Sequence, residues 1–148
     1  MSPRASWYFD ADTVGLGKML RDARSDVTWP GDDGQRLKPR LSLPPCVIQD
    51  KDTDDEIWIP QVTTAGLAII TRDKKIQTRT REINAVYAAG ARMFAITSEE
   101  NLNRWGLLEV FVPNFRAIEE AARQPGPYVY SVTRTGIRNL DIFECRYW

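Results

Sequence analysis

The run Leu67-Ala68-Ile69-Ile70, followed at once by Thr71-Arg72-Asp73-Lys74-Lys75, constrains the fold of this chain more than any other stretch. Four apolar residues between Gly66 and an abrupt change to polar ones have the pattern of a strand buried on both faces of a parallel sheet. The polar residues then emerge at the carboxyl end of that strand, the edge where open α/β sheets bind ligands. Asp73 is therefore expected to face a cleft.

Other segments supply the partners of such a sheet. Ser6-Trp7-Tyr8-Phe9 reads as a first strand that ends in Asp10-Ala11-Asp12-Thr13. Leu16, Met19, Leu20 and Ala23 then recur at helical spacing, with Asp12 or Thr13 as N-cap. Asp26-Val27-Thr28-Trp29 reads as a second strand, stopped by Pro30-Gly31. Residues 30–53 lose periodicity and are read as a long loop insertion, with a short strand at Val47-Ile48. Acidic residues at 52–56 open a helix whose face carries Trp58, Val62 and Ala65. Pro60 either kinks this helix or marks where its regular part begins.

Beyond the central strand, residues 74–89 form the next expected helix, with Ile76, Ile83 and Tyr87 buried and Gly90 as C-cap. Arg92 to Thr97 is a further buried strand. Ser98-Glu99-Glu100 starts another helix, and 113–123 forms a separate short one before Pro125-Gly126-Pro127. Residues 128–133 and 137–143 alternate around Arg134-Thr135-Gly136 as an antiparallel hairpin. The expected fold is a three-layer α/β/α sandwich on a mainly parallel sheet. It comprises a domain over residues 1–127 and a C-terminal hairpin-like extension over 128–148, packed on that domain.

Composition removes several chemistries. The chain has 148 residues, 43% of them hydrophobic, which suffices for one cored domain. Lys plus Arg equals Asp plus Glu, at 20 each, so no global field steers it to nucleic acid or membrane, although local patches still can. There is no His, which excludes His-based acid–base catalysis, Ser-His-Asp triads and His metal sites. Cys46 and Cys145 are two distant residues, read as reduced thiols. No stretch reaches the ~20 apolar residues of a membrane span, so a soluble cytoplasmic protein is expected. Gly15-Leu16-Gly17-Lys18 lacks the spacing of a phosphate-binding P-loop.

Three acidic positions occupy comparable places: Asp10 after the first strand, Asp54 and Asp55 at a helix start, and Asp73 after the central strand. Each taken singly is an ordinary cap or turn residue. Together they share the ligand-binding edge of the sheet, with Asp12 close by. Gathered carboxylates need a cation, and all-oxygen ligation suits Mg²⁺ or Mn²⁺. Such an ion supports hydrolysis of phosphodiesters without His.

The run Tyr8-Phe9-Asp10-Ala11-Asp12 and the run Ile69-Ile70-Thr71-Arg72-Asp73-Lys74 resemble the PIN-domain family of metal-dependent nucleases, in particular the toxins of bacterial toxin–antitoxin pairs. Asp55 stands 18 residues before Asp73, similar to the spacing of the family's internal Asp, which favours Asp55 over Asp54. The resemblance covers about 7–97, and the 128–148 tail falls outside its pattern. It implies a Mg²⁺- or Mn²⁺-dependent endoribonuclease with Asp10, Asp55 and Asp73 as catalytic ligands. It also implies Thr71 as a positioning residue, Arg72, Lys74, Lys38 and Arg40 as contacts to RNA phosphates, a cognate antitoxin as partner, and a homodimer or hetero-oligomer. The further Glu that many members carry before the internal Asp has no counterpart here. Glu82 reads as a solvated partner of Arg79 or Arg81. A catalytically degenerate module that binds RNA or a protein is the alternative. A Rossmann-like nucleotide-binding domain is the third reading, and the lack of G-x-G-x-x-G after the first strand weighs against it.

Overall fold

A computed structural model describes residues 5–38 and 41–140, of which 35–38 and 41–42 are described by backbone alone. Six strands form one sheet in the order β2-β1-β5-β6-β7-β8: β1 Trp7–Phe9, β2 Val27–Thr28, β5 Ala68–Arg72, β6 Arg92–Ile96, β7 Tyr128–Thr133 and β8 Gly136–Leu140. All neighbouring pairs are parallel except β7 with β8. Helices α1 Val14–Arg21 and α4 Arg104–Ala122 cover one face, and α2 Asp55–Thr64 and α3 Thr80–Ala89 the other. The expected three-layer sandwich is therefore the observed fold.

Strand β5 lies between β1 and β6, and Ala68, Ile69, Ile70 and Thr71 are all buried. Its side chains alternate between the two cores. Ile69 packs with Trp58, Ile59, Val62 and Val86, whereas Ile70 packs with Leu16, Val110 and Phe111. This double burial explains why the run is apolar at every position rather than at every second one. On the α1 side, Gly17 lies against Phe9: a Cβ there would stand 3.1 Å from the ring, so a small residue lets helix and strand approach.

Several boundaries differ from the sequence reading. Residues 30–53 are not structureless. They contain an antiparallel hairpin, β3 Gln35–Lys38 with β4 Leu41–Leu43, while Val47-Ile48 is not a strand although Ile48 is buried. The base of the insertion is pinned by Arg21, which donates to both carboxylate oxygens of Asp32 at 2.8 and 2.6 Å and to the carbonyl of Val27. Thr28 also donates to Asp32. Burial opposes the charge, but these donors hold the Asp32 carboxyl below its usual range. Sequence alone gave no sign that Asp32 had a buried partner.

Helix α2 starts at Asp55 and runs through Pro60. The third-layer helix α3 begins at Thr80 rather than at 74. Asp73 accepts a hydrogen bond from the Lys75 N–H at 2.9 Å, and a 3₁₀ turn Ile76–Thr78 follows. A short acid bonding its own local backbone competes with helix formation. Gly90 closes α3 in the left-handed region, at φ 71°, as expected of a C-cap.

The two expected helices after β6 are a single helix, α4. Residues 98–103 form a loop, and Asn103 caps the helix by accepting from the Gly106 N–H at 2.8 Å. Glu100 does not start a helix: its carboxylate pairs with Arg134, and its carbonyl takes Arg72. Pro113 sits inside α4, where burial of Leu107, Val110, Phe111 and Ile118 outweighs the missing N–H. The hairpin of β7 and β8 is present as expected to Leu140, and β7 also pairs with β6, so it continues the sheet. Residues 141–143, Cys145 and Arg40 lie outside the described residues.

Candidate active site

The carboxyl end of β1 delivers Asp10, and the carboxyl end of β5 delivers Thr71, Arg72 and Asp73. Because the two strands pair in parallel, with Phe9 opposite Ile70, these residues share one edge. The turn after β1 is tied down by Thr13, whose buried hydroxyl donates to the carbonyls of Asp10 and Ile70. Thr13 thus braces the two strand ends and makes no cap bond to α1.

Asp10 is half-buried, and the Thr71 hydroxyl stands 3.5 Å from its carboxylate. Burial pushes its carboxyl up to about 6; the Ala11 N–H opposes this, while the charges of Asp12 and Asp55 add to it. Asp55, in the first turn of α2, accepts from the Trp58 indole N–H at 2.8 Å, and Trp58 stacks on Tyr8 with ring centroids 5.2 Å apart. Asp54 is exposed, and its side chain makes no cap hydrogen bond. Of the two, Asp55 is the acid whose charge bears on Asp10. Asp73 is half-buried, with 18% of its side chain exposed, and is paired with Arg79 at 3.0 Å. As expected it lines an open depression, of about 540 Å³, together with Asp12, Arg72, Lys74, Lys75 and Arg79.

Glu82 was misplaced by the sequence reading. Arg79 pairs with Asp73 and Arg81 with Glu56, so neither makes an ion pair with Glu82. Instead Glu82 is half-buried on α3. Burial, with the charges of Asp55, Asp10 and Asp73, raises its carboxyl to about 8. Four carboxylates therefore share one field: Asp10, Asp55, Asp73 and Glu82. The i, i+1 position of Glu82 beside the buried Ile83 was the sequence signal for a side chain at the edge of the buried stripe.

The remaining candidates divide. Arg72 donates to the carbonyls of Leu102 and Glu100, both at 3.0 Å, so it anchors the 98–103 loop as well as facing the depression. Lys74 is exposed on the rim. Lys38 ends β3, and its side chain lies outside the described residues, as does Arg40.

An all-carboxylate set suits a hard divalent cation, and two acids raised by burial and mutual repulsion are what such a cation would relieve. Among the described residues no three Asp, Glu or Cys side chains are grouped closely enough to hold an ion as they stand. The donor chemistry fits; closing on an ion would require the carboxylates to draw together.

Residues 38–98 match the model of a family described as PIN like domain. That similarity covers less than half of the chain. The match takes in Asp55, Asp73 and Glu82 and stops short of Asp10. The chain is 29% identical over 84 residues to a protein of Mycobacterium tuberculosis named "Putative ribonuclease VapC45". The aligned part is 57% of this chain and 60% of that relative. No solved structure matches. Among the described residues no helix is long and apolar enough to cross a membrane.

Proposed function

We propose that this chain is a ribonuclease that hydrolyses RNA phosphodiesters with a divalent cation, Mg²⁺ or Mn²⁺, held by Asp10, Asp55 and Asp73 with Glu82 as a fourth acid. What supports this reading is that β1 and β5, paired in parallel, bring Asp10 and Asp73 to one edge of the sheet, with the charges of Asp10, Asp55 and Asp73 bearing on Glu82 and the Asp10 and Glu82 carboxyls both raised above the usual range. The PIN-like match and the name of the relative support the nuclease class. When bound, the cation would supply positive charge to a phosphoryl oxygen and a water acidified toward neutral pH. Asp10 is oriented by Thr71, and Asp55 by Trp58, so two donors are aimed by the fold itself. Asp73 is held by Arg79 and the Lys75 N–H, and it would exchange the Arg79 pairing for the cation. Lys74 and Lys75 line the same depression and would hold the RNA backbone beside it. Asp12 and Asp54 are outer acids that would add to the field.

A ribonuclease of this kind would be a toxin kept silent by a cognate antitoxin protein, as a homodimer or in a hetero-oligomer with it. The deciding measurement is cleavage of labelled RNA with Mn²⁺ by the wild type, Asp10→Asn and Asp73→Asn. Activity should fall at least about a hundredfold in each variant, in keeping with a loss of charge stabilisation at the reacting phosphate. Full metal-dependent cleavage by both variants would rule the assignment out.

A further inference from the structure

A second groove opens beside the carboxylates, and neither the acids nor the rim lysines account for it. It has a volume of about 460 Å³, and its charged lining is Lys18, Arg72, Arg104 and Asp12. It shares Asp12 and Arg72 with the depression that holds Asp73, so the two adjoin at these residues. Three cations face one acid here, although the chain as a whole is neutral.

The cations are not spent on neighbours. Among the described residues none of Lys18, Arg72 and Arg104 forms an ion pair with a carboxylate. Arg72 is fixed by two carbonyls, which position the guanidinium without cancelling its charge. Arg104 lies across the first turn of α1, where a Cβ on Gly15 would stand 3.3 Å from its Cδ. Gly15 thus leaves room for the arginine stem, and Lys18 follows one turn later on the same helix. The Gly15-Leu16-Gly17-Lys18 run is no P-loop, yet it builds one wall of a cationic groove. Next to Arg104, Trp105 stands 68% exposed on α4, an unusual position for an indole.

We propose that the groove lined by Lys18, Arg72 and Arg104 is a phosphate-backbone subsite that holds single-stranded RNA away from the carboxylates, with Trp105 as a stacking surface for a base. The proposal rests on the ribonuclease reading above and extends it to the path of the substrate. Cations without a carboxylate partner recognise phosphate regardless of sequence, and an exposed indole in the same first turn of α4 as Arg104 can serve a base of a strand that leaves the groove. The strand would then run from Lys74 and Lys75 past Asp10 to Lys18 and Arg104.

The test is fluorescence anisotropy with a short 5′-labelled single-stranded RNA in EDTA, which prevents metal-dependent cleavage, over a series of salt concentrations. For Lys18→Gln/Arg104→Gln, Kd should rise about tenfold. The slope of log affinity against log salt should also become shallower by roughly 0.7 for each phosphate that is no longer neutralised. Trp105→Ala should weaken binding with the slope unchanged. Lys18→Gln alone, at an exposed position, and Arg104→Lys, which keeps the charge, separate an electrostatic effect from misfolding. Lys18→Gln should lose part of the slope, and Arg104→Lys should retain it. An unchanged Kd and slope in the double variant, or equal preference for a duplex, would overturn the proposal. Cleavage is read separately with Mn²⁺. RNA that binds through this groove but is never cut would leave the subsite standing and refute the nuclease. Cleavage by wild type with no slope change in the variant would do the reverse.

Discussion

Glu82 shows how far a single residue can depart from its local sequence. Preceded in sequence by Arg79 and Arg81, it makes an ion pair with neither; burial and the charges of Asp55, Asp10 and Asp73 raise its carboxyl to about 8. A folded-state pKa above the unfolded value means that this acid's contribution to stability is full below about 4.5 and is lost as pH rises through about 8. In metal-free buffer, Glu82→Gln should match the wild type near pH 5 and exceed it near pH 8 by on the order of 2–4 kcal/mol. Thermal unfolding at the two pH values checks this, and a variant less stable at both would show that Glu82 is held by contacts rather than strained by charge. With Mn²⁺ present, the advantage at pH 8 should vanish if Glu82 helps to hold the cation.

At the scale of elements, the ends of helices decide where groups come to rest. Helix α4 starts at Arg104 because Asn103 caps it, and that start sets Arg104 over Gly15 and leaves Trp105 at the surface. Asn103→Ala should cost about 1 kcal/mol, seen as a lower denaturation midpoint in urea with an unchanged slope. A loss of more than a few kcal/mol would mean that the asparagine does more than cap. The late start of α3 has the same kind of cause. Asp73 bonds the Lys75 N–H, the chain makes a 3₁₀ turn, and Arg79 is left able to reach back to Asp73. A helix running unbroken from 74 would have carried these groups around its axis instead.

For the molecule as a whole, binding of a divalent cation and protonation are linked. The Glu82 carboxyl is mostly protonated at pH 7 and Asp10 slightly so, and a cation would expel those protons. Titration calorimetry of Mn²⁺ near pH 7, in two buffers of different ionisation enthalpy, should report release of about one proton per ion bound. Binding without proton release would place the ion elsewhere.

The sheet was legible because a strand buried on both faces has to be apolar throughout, and 67–70 could hardly be anything else. The parallel order placed Asp10 and Asp73 on one edge, since both follow strands that run the same way. The helical periods of α1 and of the second half of α3 were equally plain, as was the glycine that ends α3. These features come from residues close in sequence, whose spacing carries the signal. The hairpin inside 30–53, the Arg21–Asp32 pair, the unbroken α4 and the placement of Glu82 rest on contacts between distant residues. Arg21 meets Asp32 only once α1 has packed beside β2, and Pro113 is tolerated only because both halves of α4 bury the same core. The sequence by itself thus determined which strand is central and which acids follow strands. Only the tertiary structure decided which charges stand near one another, because electrostatic and packing energies depend on distance through space and not along the chain.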